Sequence, residues 1–245
     1  MKHMTWQTIL GVSLVLLSAF FYLIHFLLFR DAHHIFIFLV GDIAFVPIEV
    51  LLVTLIIHRL LAEREKQSLL EKLNMLIGVF FSEIGTGLIK TFSAFDPDSP
   101  ELRHLIKGKS FAKESFSDLR NHIKVHRHRI EIKDVDLGPL RQLLSEKRPF
   151  LLGLIENPNL FEHDTFTQLL WAVFHLTEEL VYREDLSTLP ENDIRHIAGD
   201  ISRAYDLIIV EWLDYMNHLR SNYPYLFSLA VRMNPFDPNA SPVVA

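Results

Sequence analysis

The chain has 245 residues, 22% of them charged, a formal net charge of −6 and a mean hydropathy of +0.20. An ordinary soluble domain rarely combines that hydropathy with so many charges, so the apolar residues must be concentrated. The negative balance argues against nucleic acid as a partner, and the absence of cysteine excludes disulfides, thiolate nucleophiles and thiolate metal sites.

The concentration is at the start of the chain. Residues 9–29, ILGVSLVLLSAFFYLIHFLLF, carry no formal charge over 21 positions, and residues 35–57 carry only Asp42 and Glu49 over 23. Each run is long enough to cross ~30 Å of hydrocarbon at about 1.5 Å per residue. A cleaved signal peptide does not fit the first run, which is too long and has no small-x-small site after it. Only Arg30, Asp31, Ala32, His33 and His34 separate the runs. So short a connection predicts an antiparallel transmembrane hairpin over residues 1–60. Lys2 precedes it and Arg59, Arg64, Lys66 and Lys72 follow it, while Arg30 in the connection is offset by Asp31. That bias predicts a multi-pass protein of the cytoplasmic (inner) membrane with both termini in the cytoplasm.

Asp42 and Glu49 stand seven residues apart, so they share one helix face. Ser18, Tyr22 and His25 form a polar face on the first run at spacings of four and three. Folding the hairpin about Ala32 brings Tyr22 level with Asp42, which predicts that Tyr22 and His25 bond Asp42 while Ser18 or water approaches Glu49. Pro47 between the acids frees the carbonyl of Ile43 and predicts a kink there. An acid in mid-span costs ~2.5–3.5 kcal/mol, so both should face inward. This seam reads in two ways: as interhelical glue that sets register and assembly, or as an ion or proton path. Two helices cannot enclose a pore, so the second reading requires a homo-oligomer with Glu49 in a ring.

Beyond residue 60 the helix is predicted to continue as a stalk, 61–95, with apolar residues at Leu69, Leu73, Leu76, Phe80, Ile84 and Leu88. Its continuous apolar part, Met75 to Phe81, is expected to pack in the domain core rather than lie at the membrane interface. AFDPDSP then breaks the pattern. An all-α cytoplasmic domain is predicted over 96–233, with Ser99 or Ser110 as an early cap. Asp136 precedes one helix, Pro149 starts a short segment and ENPN makes a turn. Asp164 is the predicted N-cap of TFTQLLWAVFHLTEELVYRE, and Pro190 begins a long helix reaching about Ser221. A short helix YPYLFSLAVRM and a loose tail, 234–245, close the chain. IEIKDVDL alone hints at strand-like alternation. Trp171, Phe174, Trp212 and Tyr215 read as packing anchors between the two long helices.

Four i, i+4 pairs in this domain can each present two ligands on one face: His122/His126, His175/Glu179, His196/Asp200 and Asp214/His218. Solvated helices show the same pairs as ion pairs. His175, Glu179, Asp214 and His218 are the candidate metal ligands, with His33 and His34 a further pair in the connection. The Glu-x-x-His pattern of carboxylate di-metal bundles is absent, and GKS at 108–110 lacks the glycine of a phosphate loop. No cofactor is implied. Arg120, Lys124, Arg127 and Arg129 form a basic cluster that can touch lipid headgroups, or simply a solvated face. The sequence thus reads as an all-α membrane-anchored scaffold or regulatory module. It is expected to be homo-oligomeric, with the bilayer and a cytoplasmic protein as partners and no nucleic acid. An oligomeric channel and a metal-dependent enzyme are the alternatives.

Overall fold

The structure, a computed structural model, describes residues 6–108, 116, 118–121, 123, 128–158, 160 and 163–244. Ser110, His122, Lys124, His126 and Arg127 lie outside the described residues. Among the described residues the regular structure is all helical, with no strand. The helices are α1 (Trp6–Phe29), α2 (Ala32–Phe80), α3 (Thr86–Phe95), α4 (Ser99–Gly108), α5 (Gly138–Ile155), α6 (Asp164–Val181), α7 (Glu191–Asn222) and α8 (Pro224–Arg232). One π-helical turn, Phe81–Gly85, separates α2 from α3. The chain divides into two compact units, Met1–Glu65 and Lys66–Ala245.

The first unit consists of α1 and the opening part of α2. Both are long and apolar enough, by length and composition, to cross a membrane. The turn between them is tight: Arg30 adopts a left-handed φ of 49° and its N–H donates to the Phe26 carbonyl at 2.9 Å. Asp31 then caps α2, its Oδ1 accepting the His34 N–H at 3.1 Å. No residue of α1 is buried. The α2 helix runs on through Pro47.

The second unit has a conventional core. The end of α2 buries Leu73, Ile77 and Phe80, so the region expected to act as a stalk is already core from Leu73 onward. The π turn adds a residue to the helical phase and directs both Phe80 and Phe81 inward. Its i to i−5 bond is the Thr86 N–H to the Phe81 carbonyl, which also accepts the Thr86 hydroxyl at 2.8 Å. Gly85 has to be glycine here, because a Cβ would come within 2.7 Å of the Phe81 ring and 2.8 Å of the Phe80 ring. Helix α6 packs against α5 and α7, while α7 also meets α3 and α8.

Four local expectations change. Pro149 does not begin a segment but sits inside α5, whose buried face runs on through Leu140, Leu144, Leu151 and Leu154. The carbonyl that loses its partner belongs to exposed Ser145, where water can serve it. The N-cap of α6 is His163, whose Nδ1 accepts the Phe166 N–H at 3.2 Å, and Asp164 is the first helical residue. IEIKDVDL is irregular: Ile132 and Leu137 are buried, and the Glu131 N–H donates to the Phe95 carbonyl at 2.9 Å, but no sheet forms. The segment after Arg232 is anchored rather than loose, since Phe236 is buried with its ring 5.4 Å from that of Trp212.

Candidate functional site

Polar groups gather in two places, one in each unit. In the first unit, Ser18, Tyr22 and His25 of α1 and His34 and Asp42 of α2 line a cavity of about 470 Å³. The i, i+4 and i, i+3 spacing of the α1 residues puts them on one face, and the tight turn at Arg30 brings that face to α2. The His25 and His34 rings stack, with centroids 5.6 Å apart and planes 8° apart. Among the described residues, Asp42 makes no direct hydrogen bond with Tyr22 or His25, and the Nδ1 of His25 is buried without a partner. Ser18 lines the Asp42 cavity. Glu49 is exposed and has no hydrogen-bond or ion-pair partner among the described residues.

In the second unit, α6 and α7 face each other with charged side chains at helical spacing. Arg183, two residues past the end of α6, joins the two helices. Its Nε and Nη2 donate to the two oxygens of Asp193 at 2.8 and 2.7 Å, and its Nη1 reaches Glu179 Oε2 at 2.6 Å. These charge-assisted bonds hold the Glu179 and Asp193 carboxyls below the usual carboxylate range. Asp200 of α7 is 3% exposed. Its Oδ1 pairs with Arg203 Nη1 at 3.1 Å, whereas its Oδ2 is buried with no hydrogen-bond donor. That Oδ2 lies 3.5 Å from His175 Nε2 and 3.4 Å from His196 Nε2. Glu179 lies 3.7 Å from His175 through Oε1 and 3.6 Å from His196 through Oε2.

Beside this cluster a cleft of about 810 Å³ is lined by Trp171, His175, Arg203 and Asp206, among others. Trp171 is half exposed and faces this space, one position off the buried stripe of α6, whereas the packed rings of Trp212 and Tyr215 lie against Phe236 and Phe81. Asp206 is fixed by His128, whose Nδ1 lies 2.7 Å from Asp206 Oδ1. The carbonyl of His128 accepts the Ser202 hydroxyl at 2.7 Å.

Of the candidate ligands named from sequence, His175 and Glu179 belong to this cluster. Asp214 instead pairs with Arg120 at 2.9 Å, and the His218 ring lies 5.7 Å from that of Tyr223. His196 and Asp200, noticed in sequence as one helical pair among four, join His175 only because α7 packs on α6. Arg183 and Arg203 carry no sequence signal beyond their charge. Of the basic cluster, Arg120 is held by Asp214 and Arg129 by Glu131.

A family model described as "Uncharacterized protein MJ1433, C-terminal helical domain" matches residues 69–232, and one described as "MJ1433, N-terminal helical domain" matches residues 1–61. The chain is 44% identical over 238 residues to the uncharacterized protein MJ1433 of Methanocaldococcus jannaschii. That alignment covers 97% of this chain and 96% of the relative. No solved structure matches the chain.

Proposed function

This chain belongs to the MJ1433 family, and we propose that it is a membrane-anchored scaffold or regulatory module. Residues 1–60 form the transmembrane hairpin, residues from 61 lead out of the bilayer and join the domain core from Leu73 on, and residues 96–233 with the tail 234–245 complete a helical domain in the cytoplasm. One observation carries this reading. Throughout the first unit large apolar side chains are exposed, with Leu16 at 65%, Phe29 at 67%, Ile43 at 61% and Leu55 at 58%. Single soluble chains rarely expose contiguous apolar patches beyond roughly 300–600 Å². A bilayer is the solvent that such a surface matches, and a helix meets its own backbone hydrogen bonds there. The charge bias around Arg59, Arg64, Lys66 and Lys72 supports termini on the inner side. Exposed Glu49 supports a homo-oligomer, because an acid on the lipid face needs a neighbour.

The test uses the fact that the chain has no cysteine. Membranes from cells expressing the full chain are washed with alkaline carbonate, and Ala32→Cys and Val244→Cys variants are treated with an impermeant maleimide. The protein is expected to stay in the pellet. Cys at 32 should label in intact cells, and Cys at 244 only after permeabilisation. Recovery in the carbonate supernatant would overturn the reading.

The cavity of Ser18, Tyr22, His25, His34 and Asp42 favours a second reading, an oligomeric ion or proton path. Reconstituted liposomes should then show flux between pH 5 and 8 that Asp42→Asn or Glu49→Gln lowers. Wild-type liposomes as tight as protein-free controls would remove it.

A further inference from the structure

We propose that His175, His196 and Asp200 form a binding site for a divalent transition-metal ion. The three donor atoms, two imidazole Nε2 and one carboxylate oxygen, lie within 4.8 Å of one another. With ligands about 2.0–2.2 Å from an ion such as Zn²⁺, two donor atoms of a tetrahedral site stand about 3.3–3.6 Å apart. The two His–Asp200 separations, 3.5 and 3.4 Å, match that edge.

A plain ion pair does not account for the same atoms. Where this protein pairs histidine with aspartate for its own sake, at His128 and Asp206, the contact closes to 2.7 Å. Two imidazoles aimed at one carboxylate oxygen without closing on it leave Asp200 Oδ2 buried, with no hydrogen-bond donor. An unpartnered carboxylate oxygen costs free energy in that position, and a cation between the three atoms would remove the cost.

The surroundings support the set. Arg203 occupies Oδ1 of Asp200, so Oδ2 is turned towards the histidines as a one-oxygen ligand held from behind. Arg183 holds Glu179 beside the set through Oε2, which lies 3.6 Å from His196, while its Oε1 lies 3.7 Å from His175. The histidines are about half exposed, which leaves an entry path, and His175 borders the cleft with Trp171 and Arg203. Two nitrogens and a carboxylate suit Zn²⁺, Co²⁺, Fe²⁺ or Mn²⁺ rather than Ca²⁺, which takes oxygen ligands. The site lies wholly within the second unit and is independent of where the first unit resides.

The experiment uses tag-free full-length protein in detergent, stripped with EDTA and titrated with Zn²⁺ against a chromophoric chelator, and with Co²⁺ by visible absorption. One equivalent of Zn²⁺ per chain is expected, with cobalt bands of low coordination number. His175→Ala and His196→Ala should each weaken Zn²⁺ binding by at least about the 10–100-fold that loss of a supporting residue costs. His218→Ala should keep the full equivalent. Asp200→Asn should lose binding too, and because Asp200 is buried its folding is checked by thermal melting. The half-exposed histidine variants decide the matter if that one does not fold. Failure of wild type to compete for a full equivalent would overturn the proposal. So would undiminished binding by the His175→Ala/His196→Ala double variant, which would assign the metal to others of the 13 histidines.

Discussion

The Phe81 ring lies stacked on that of Tyr215, with centroids 5.2 Å apart and planes 16° apart, and so ties the π turn to the C-terminal third of α7. The neighbouring Phe80 ring meets Phe166 of α6 edge-on at 5.4 Å. Two adjacent aromatics can both reach the core only because the π turn shifts the helical phase between them. Gly85 leaves room for their rings, and Gly85→Ala would place a methyl 2.7–2.8 Å from ring atoms that have no free space to move into. A loss of about 1–3 kcal/mol is expected, as for other overpacked cores. Gly87→Ala, with nothing within 4 Å of its Cβ, should be neutral or gain up to about 1 kcal/mol. Chemical denaturation of the two variants side by side checks the difference.

Glu211 should make the fold less stable as pH rises. It is 1% exposed, and neither oxygen has a hydrogen bond of ordinary geometry. Burial pushes its carboxyl above the usual range and nearby Asp214 adds to this, outweighing Thr165, His163 and Arg120, which act the other way. The folded state therefore holds this proton more tightly than the unfolded chain does. The group's stabilisation is complete below the ordinary glutamate value of about 4.3 and is lost as pH climbs from there through the raised folded value. Glu211→Gln keeps the shape and drops the charge. Its unfolding midpoint in urea should exceed wild type at pH 7.5, and the gap should close by pH 4.

Arg183 works with the opposite sign. It holds Glu179 and Asp193 as carboxylates, so their contribution is present above the ordinary carboxylate range and is lost as pH falls through their lowered values. Arg183→Met should lower the melting temperature by a few degrees at pH 7, since these pairs are partly open to solvent. The deficit should shrink towards pH 3, where wild type loses the same interaction. A deficit that does not change with pH would mean that Arg183 acts through packing alone.

The helices were legible wherever one physical signal dominated. The two uncharged or nearly uncharged runs became α1 and the opening of α2, and the 3–4 spacing from Leu73 to Leu88 became core. Pro149 misled because proline ends a helix only where the lost hydrogen bond cannot be replaced, and here the orphan carbonyl belongs to exposed Ser145. IEIKDVDL alternates as a strand does, yet a strand needs a neighbour, and among the described residues its backbone bond to another element is the one from Glu131 N–H to the Phe95 carbonyl. The cluster around Asp200 was half visible. A histidine four residues from an acid is common on any solvated helix, and sequence gives no measure of which two such pairs will face each other. Asp200 stood out only when its burial and its unpartnered oxygen were seen together with His175 from the facing helix.

Under the proposed assembly of hairpins, Glu49 and Asp42 are expected to respond differently to substitution. Asp42, although exposed like Glu49, borders a cavity with Ser18, Tyr22, His25 and His34 of the same chain, so polar neighbours lie beside it without a second copy. Glu49 is exposed on the other side of Pro47 with no partner among the described residues. Facing lipid, a charged acid near mid-span costs ~2.5–3.5 kcal/mol. Against a second hairpin it would be desolvated but hydrogen-bonded, and the assembly would gain that difference. On that proposal, Glu49→Leu would remove the reason to associate while improving the match to lipid. In mild detergent its mass should fall towards one chain, with the melting of the second unit unchanged, whereas Asp42→Asn should keep the wild-type mass. Size-exclusion chromatography with light scattering reads both. An unchanged oligomer in Glu49→Leu would place the subunit contact elsewhere and leave Glu49 to the ion-path reading, which the liposome flux of Glu49→Gln then decides.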